Sequence, residues 1–266
     1  VSVYKYNMKE HHVPVTMGTI VLHRPETAMP FAVLDGTYVT AIRTGAAAGV
    51  GAKHLAKSGA HVALQIGAGA QGYMAARAIL TAVPGLEELR VAEINPDTMA
   101  RFVKDIQAEF PAVKITSYAD YKEAIPGAQI VCAATTSPTP LLRGMTFDKG
   151  TTVLLVAEMV DNSDLLSYDR CILDFPECYC IRINEELASV AREKGTAYDP
   201  IQESTCAATL GEVIAGQKPG RLSDDDIIVA GFVGMGIEDV LVAKTAYDRA
   251  VEKKIGKVLD FISVEE

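Results

Sequence analysis

The feature that most constrains this chain is the abrupt break of an apolar run, residues 62–66, into Gly67-Ala68-Gly69-Ala70-Gln71-Gly72. A small-residue helical pattern (Met74, Ala75, Ala76, Ala78, Ile79, Leu80) follows without interruption. That order predicts strand, tight turn and helix. Gly67 permits the turn, Gly69 lets the backbone approach a pyrophosphate, and Gly72 lets the helix pack closely on the strand. The helix N-terminus offers N–H groups and a positive dipole end to phosphates. Glycines also end strands for purely structural reasons, so the spacing of the next acid matters. Residues 89–94 read as the following strand, and Glu93 lies 21 residues past Gly72, close to the spacing of a ribose-binding carboxylate. A carboxylate there repels a 2′-phosphate, and no Arg follows in residues 94–97. NAD is therefore favoured, with NADP left open.

Composition narrows the class. A chain of 266 residues with 49% hydrophobic and 22% charged content reads as globular, and the net charge of −9 argues against duplex nucleic acid or an anionic membrane surface as partner. No apolar run reaches the roughly 20 residues of a membrane span, and no basic-then-apolar signal segment opens the sequence. The five cysteines, an odd number, are expected to be reduced thiols in a cytoplasmic protein. Cys178-Tyr179-Cys180 lacks the spacing and partners of a zinc site and reads as an irregular stretch. Neither His-Glu-x-x-His nor Gly-x-Ser-x-Gly occurs, so zinc proteolysis and serine hydrolysis have no support, and no metal site is assigned.

Taken in order, residues 1–43 read as β structure, with runs at 19–23, 30–34 and 38–42 separated by turn chemistry. Residues 46–55 follow as a Gly/Ala-rich helix. From residue 61, apolar strands at 62–66, 89–94, 113–116, 129–134, 152–157, 171–174 and 227–232 alternate with helical patterns. This predicts a Rossmann-type, doubly wound parallel sheet with right-handed crossovers, an α/β fold. A long helix spans residues 237–254, and residues 255–264 are expected to return to the N-terminal strands.

Residues 34–47 with 66–72 resemble the paired signature of the ornithine cyclodeaminase/μ-crystallin family, and residues 210–221 and 234–240 are similar to its later blocks. The likeness covers nearly the whole chain. It implies an NAD(P)-dependent enzyme of amino and imino acids, in homodimers joined through β-rich substrate domains formed by both chain ends. Here these would be residues 1–45 and 240–266, around a dinucleotide-binding domain at 46–239. By resemblance, Arg43 lies near substrate carboxylate and cofactor, Thr44 touches cofactor, and Lys5 is the substrate-binding lysine. Gly67, Gly69, Ala70, Gln71 and Gly72 form the pyrophosphate turn and Glu93 the ribose acid. Ala134-Thr135-Thr136 is the loop lining the dinucleotide, and Val156 and Gly234 are further cofactor positions. Cyclodeaminases carry an Asp and then Pro-Gly-Lys after the fifth strand, whereas this chain reads Val156-Ala157-Glu158-Met159-Val160-Asp161-Asn162-Ser163. Glu158 and Asp161 are the candidates for general acid. The resemblance also implies one further structural unit ahead of Lys5.

Hydride transfer to an imine needs its carboxylate fixed beside the nicotinamide, and Arg43 with Lys5 would supply that clamp. For Lys5, a solvated lysine that guards a strand edge is an equal alternative. The leading expectation is a reductase or dehydrogenase interconverting a 2-imino or 2-keto acid and the L-amino acid. A cyclodeaminase releasing ammonia from ornithine is second. A crystallin-like protein that binds the dinucleotide without turnover is third.

Overall fold

The computed structural model describes residues 1–4, 6–137, 140–156 and 160–259, apart from the side chain of Lys9. The chain divides into two compact units, Ala41–Met235 and a smaller one joining Val1–Thr40 to the segment from Gly236. In the smaller unit, β1 (Ser2–Val3), helix α1 (Asn7–His11) and β2 (Thr16–Met17) come first, the two strands pairing antiparallel. Next, β3 (Thr19–His23) pairs antiparallel with β4 (Pro30–Asp35), Val21 opposite Val33. Leu22 and Val39 are buried with Ala243 of the last helix, and Ile20, Phe31, Leu34 and Tyr247 pack around them.

Residues 38–42, expected as a third strand, instead lie in the opening turns of α2 (Gly36–Leu55). The Asp-Gly pair that reads as a hairpin turn begins a helix: the Asp35 carboxylate accepts the backbone N–H of Thr37 at 2.9 Å and of Tyr38 at 3.5 Å. The Thr37 N–H is the main cause holding the Asp35 carboxyl below its ordinary pKa. Capping and burial override the β preference of Tyr38, Val39, Thr40 and Ile42. The buried residues Ala41, Thr44, Ala48, Ala52 and Leu55 recur at helical spacing.

The larger unit continues with β5 (Val62–Ile66), α3 (Ala70–Ala82), β6 (Glu88–Ala92), α4 (Pro96–Glu109), β7 (Lys114–Tyr118), α5 (Tyr121–Ala124), β8 (Ile130–Ala133) and β9 (Thr152–Val156). It closes with α6 (Asn162–Leu165), β10 (Arg170–Leu173), α7 (Pro176–Lys194), β11 (Ala208–Thr209), α8 (Leu210–Ile214) and β12 (Ile228–Phe232), and α9 (Gly236–Glu252) then belongs to the smaller unit. The strands form one eight-stranded sheet in the order β11-β10-β12-β9-β8-β5-β6-β7. Every pairing in it is parallel, so the doubly wound sheet is as the strand–helix alternation predicts. Apolar clusters cover both faces: Leu55, Ile79, Phe102 and Ile106 on one, Leu142, Leu165, Tyr179 and Ile183 on the other. The chain reverses direction across the sheet between β5 and β8, where ligands of such sheets bind at the carboxyl ends of the strands.

Besides the four-residue α6, two elements of this unit were not anticipated. The Cys178-Tyr179-Cys180 stretch is helical, within α7, whose buried residues Tyr179, Cys180, Ile183 and Leu187 share one face while Cys178 is exposed. The second is β11, two residues long.

Arg221 ties the amino edge of the sheet together. Its guanidinium donates to the Leu55 carbonyl from Nε and Nη2, both at 3.1 Å, to the Gly150 carbonyl at 3.2 Å and to Thr152 Oγ1 at 2.9 Å. Lysine has no planar fork with which to satisfy these acceptors together. Arg221→Lys is expected to lower unfolding stability by about 2–4 kcal/mol, since buried acceptors lose charge-assisted donors. Urea denaturation measures it, and an unchanged midpoint would contradict this role.

Candidate active site

The glycine turn follows β5. Gly67 adopts φ +87°, a left-handed conformation, with the Ala134 carbonyl occupying the space a Cβ would need. At Gly72, any Cβ would strike the Gly67 carbonyl oxygen. Gly69 is the N-cap of α3 in extended conformation and brings no side-chain cap to the first turn, which carries no acidic residue. Nothing lies within 4 Å of the Cβ position at Gly69. Ala70 is exposed and Gln71 half-buried at the helix start. Uncapped N–H groups, a positive dipole end and the absence of a side chain at Gly69 suit a pyrophosphate.

Glu93 stands one residue past β6. Its Oε2 accepts the Ala68 N–H and its Oε1 the Asn95 N–H, both at 2.9 Å. Asn95 in turn caps α4, accepting from Asp97 and Thr98. The carboxylate is thereby held beside the glycine turn, in reach of a ribose diol.

Arg43 lies within α2 and not at a strand end, as the placement of a strand at 38–42 implied. Its head group is brought to the carboxyl edge of the sheet: a Cβ on Gly234, two residues past β12, would overlap the Arg43 guanidinium. Gly234 has φ +78°. This turn is fixed by Asp174, which follows β10. Asp174 Oδ2 accepts the N–H of Val233 at 2.9 Å and of Gly234 at 2.8 Å, while Arg182 donates to the Val233 carbonyl at 3.1 Å. Burial raises the Asp174 carboxyl above its usual range despite these donors. Asp174 and Arg182 were not singled out in the sequence. The only trace of the first was an acid directly behind an apolar strand, as at Glu93.

The remaining expected residues divide into three groups. Ala134, Thr135 and Thr136 follow β8, adjacent to β5, and Val156 ends β9, so all four stand at the same carboxyl edge. Thr44 is buried, and its Oγ1 has no protein partner among the described residues. An orphaned hydroxyl one residue from Arg43 fits a polar ligand such as a dinucleotide. Lys5 and Glu158 lie outside the described residues.

Asp161 has a different character. It is 1% exposed and caps α6, Oδ1 accepting from Ser163 Oγ at 2.7 Å and the Asp164 N–H at 3.1 Å, Oδ2 pairing with Arg143 at 2.6 Å. Burial pushes its carboxyl up, but the Ser163 hydroxyl, the Asp164 N–H and the Arg143 guanidinium together hold it below the usual range. A carboxylate with both oxygens engaged and kept ionised is a structural anchor and a poor proton donor.

Known proteins resemble this chain over nearly its whole length. The profile of the ornithine cyclodeaminase/mu-crystallin family matches residues 1–254. The chain belongs to this family. It is 32% identical over 249 residues to a Delta(1)-pyrroline-2-carboxylate reductase of Bacillus cereus, covering 92% of this chain and 74% of that protein. The structure of the Thermococcus litoralis Delta(1)-pyrroline-2-carboxylate reductase in complex with NADH and L-proline superposes with a TM-score of 0.84 at 29% identity, over 97% of this chain and 78% of that one. An archaeal alanine dehydrogenase dimer with bound NAD gives 0.80 at 27% identity, over 98% and 79%. These members of the family are oxidoreductases acting at imine or amino groups.

Because its folded pKa is depressed, Asp161 contributes stability that is present above its unfolded value, about 3.9, and is lost as pH falls through the lower folded value. Asp161→Ala is expected to cost about 1–2 kcal/mol near neutral pH, the worth of an N-cap. Its stability should also fall less steeply than that of the parent between about pH 5 and about pH 2. Equal acid limbs in thermal melts would refute the assignment.

Proposed function

We propose that this chain is an NAD-dependent oxidoreductase that interconverts a 2-imino or 2-keto acid with the corresponding L-amino acid. The observation that carries the reading is the Arg43 guanidinium at the carboxyl end of β12, on the same sheet edge as the glycine turn behind β5. Three strand spacings separate β12 from β5, about 14 Å along the edge, a span suited to a dinucleotide with its pyrophosphate at the turn and its nicotinamide towards Arg43. Gly67, Gly69, Ala70, Gln71 and Gly72 take the phosphates. Glu93 takes the adenosine ribose and disfavours a 2′-phosphate. Thr44, Ala134, Thr135, Thr136, Val156 and Gly234 line the rest.

When bound, NADH would supply the hydride that reduces C2 of an imino acid whose nitrogen is already protonated. Arg43 grips the substrate carboxylate with its planar fork and so fixes which face of C2 is presented. Its own aim is set by the Gly234 turn, which Asp174 and Arg182 hold. Lys5 remains the second candidate for the carboxylate clamp. The relatives named above support cyclic imines and keto acids with ammonia as the substrates to try first.

The test is a panel of Delta(1)-pyrroline-2-carboxylate, pyruvate with ammonia, and related acids, followed by NADH absorbance. Stoichiometric NADH oxidation is expected with at least one. Ammonia release from ornithine without net NADH change would replace this reading by cyclodeamination, and NADH binding without turnover by a purely ligand-binding role. Arg43→Lys is expected to raise KM for the acid by about 10- to 100-fold, the loss of a bidentate charged contact, with a smaller change in NADH affinity. An unaltered KM would remove Arg43 from the substrate clamp.

We further propose a cytoplasmic homodimer built on the smaller unit. All five cysteines are unpaired, which supports a reducing compartment. Val21 and Val33, opposite each other on the β3–β4 ladder, are 45% and 71% exposed, an apolar pair on an open sheet suited to a second copy. Light scattering is expected to give twice the 28.4 kDa chain mass, and Val33→Asp to shift it towards the monomer. A parent protein of single-chain mass would refute the dimer.

A further inference from the structure

Gln65 is out of place in β5. It occupies a strand whose other residues are Val62, Ala63, Leu64 and Ile66, it is 1% exposed, and its Oε1 has no protein partner among the described residues. An orphaned buried amide oxygen costs stability that an apolar residue of similar size would restore. The side chain's other end accounts for its presence. Gln65 Nε2 donates to the Ile66 carbonyl at 3.0 Å and to the Gly67 carbonyl at 3.1 Å.

The Gly67 carbonyl belongs to the peptide whose N–H is that of Ala68, and that N–H donates to Glu93 Oε2 at 2.9 Å. One peptide plane is thus held from both sides, by an amide underneath and a carboxylate above. Gly67 leaves the plane soft, because glycine at φ +87° has alternatives on either side of the map. Without the Gln65 amide the buried Gly67 oxygen would lose a donor, and the plane would turn to recover one. The Ala68 N–H would then swing away from Glu93.

We propose that Gln65 is a positioning residue for the dinucleotide: by fixing the Gly67–Ala68 peptide from beneath, it aims the Glu93 carboxylate at the adenosine ribose. The proposal rests on the assignment of Glu93 to that ribose. Gln65 touches neither substrate nor cofactor, and its effect is read in cofactor affinity and not in the binding of the acid.

The experiment titrates ADP-ribose, which carries the adenosine ribose but no nicotinamide, into purified protein by calorimetry. Gln65→Met is expected to weaken it about tenfold, the worth of one oriented hydrogen bond to a charged group. The thermal midpoint of the free protein should stay within about 4 °C of the parent, since removal of the orphaned oxygen offsets the lost donors. Glu93→Gln should weaken ADP-ribose by a similar factor, and the double variant should be little worse than either single one. If Glu93→Gln leaves affinity unchanged, the ribose assignment itself fails. If Glu93→Gln weakens binding but Gln65→Met does not, or the two effects multiply independently, the Gln65 proposal alone is overturned. Should Gln65→Met not fold, Gln65→Leu removes the same donor with another apolar side chain of similar size, and the same loss of ADP-ribose affinity is expected. Retained affinity in that variant overturns the proposal.

Discussion

The carboxyl edge of the sheet depends on one contact that only a hydrogen atom permits. Gly72 approaches the Gly67 carbonyl so closely that any side chain would collide with it. That approach lets α3 start immediately over the end of β5 with its first N–H groups facing outward. A Cβ at Gly67 would meet both a positive φ and the Ala134 carbonyl. The conformational part of that penalty is about 1–2 kcal/mol, and the steric part adds to it. The turn therefore has little freedom to drift, and the orientation of the Gly67–Ala68 peptide passes directly to Glu93. The shape of the glycine turn and the aim of the Glu93 carboxylate are in this sense one structural decision.

The other end of the edge is set by helix packing. Gly45 and Gly49 bring α2 onto the backbone of α3 at Met74 and Ala78, which fixes the rotation of α2 about its axis. Successive residues of a helix point about 100° apart, so with Gly45 against α3, Thr44 is buried and Arg43 is directed to the Gly234 turn. Gly234 must lack a side chain for the guanidinium to lie against it, and the buried Asp174 holds the turn by two backbone N–H groups. A charged side chain on one element is thus aimed by a carboxylate on another that it need not touch.

What the sequence made legible follows from the range of the physics involved. The glycine turn and the strand–helix alternation rest on contacts a few residues long or on fixed spacing, and the structure places both where the pattern indicates, while Glu93, read as part of a strand, stands one residue past β6. The strand expected at 38–42 failed because a local β preference was outweighed by a cap from Asp35 and by burial along α2. Helix α7 was missed because Pro176 and three aromatic or cysteine neighbours masked a stripe whose meaning lies in the partner it meets, Tyr179 packing on Gly231 in β12. Asp174 and Gln65 were illegible for a related reason. Each acts on a peptide group across a turn, and nothing in the type or spacing of either residue announces which peptide that is.

The state of Asp161 bears on the chemistry. Ring-forming deamination has to manage protons at two nitrogen-bearing centres in succession, and a carboxylate locked into a helix cap and an Arg143 pair is unsuited to shuttle them. Reduction of a 2-imino acid asks less of the protein. If the substrate enters as its iminium, the nitrogen already carries the proton that makes C2 electrophilic, and the residues at this edge need only hold the carboxylate, exclude competing geometries and present one face. An arginine fork on a fixed helix, aimed by a clamped glycine turn, meets those requirements. Among the described residues, Arg43 and the glycine turn that aims it serve orientation, and Asp161 serves the fold of its own loop.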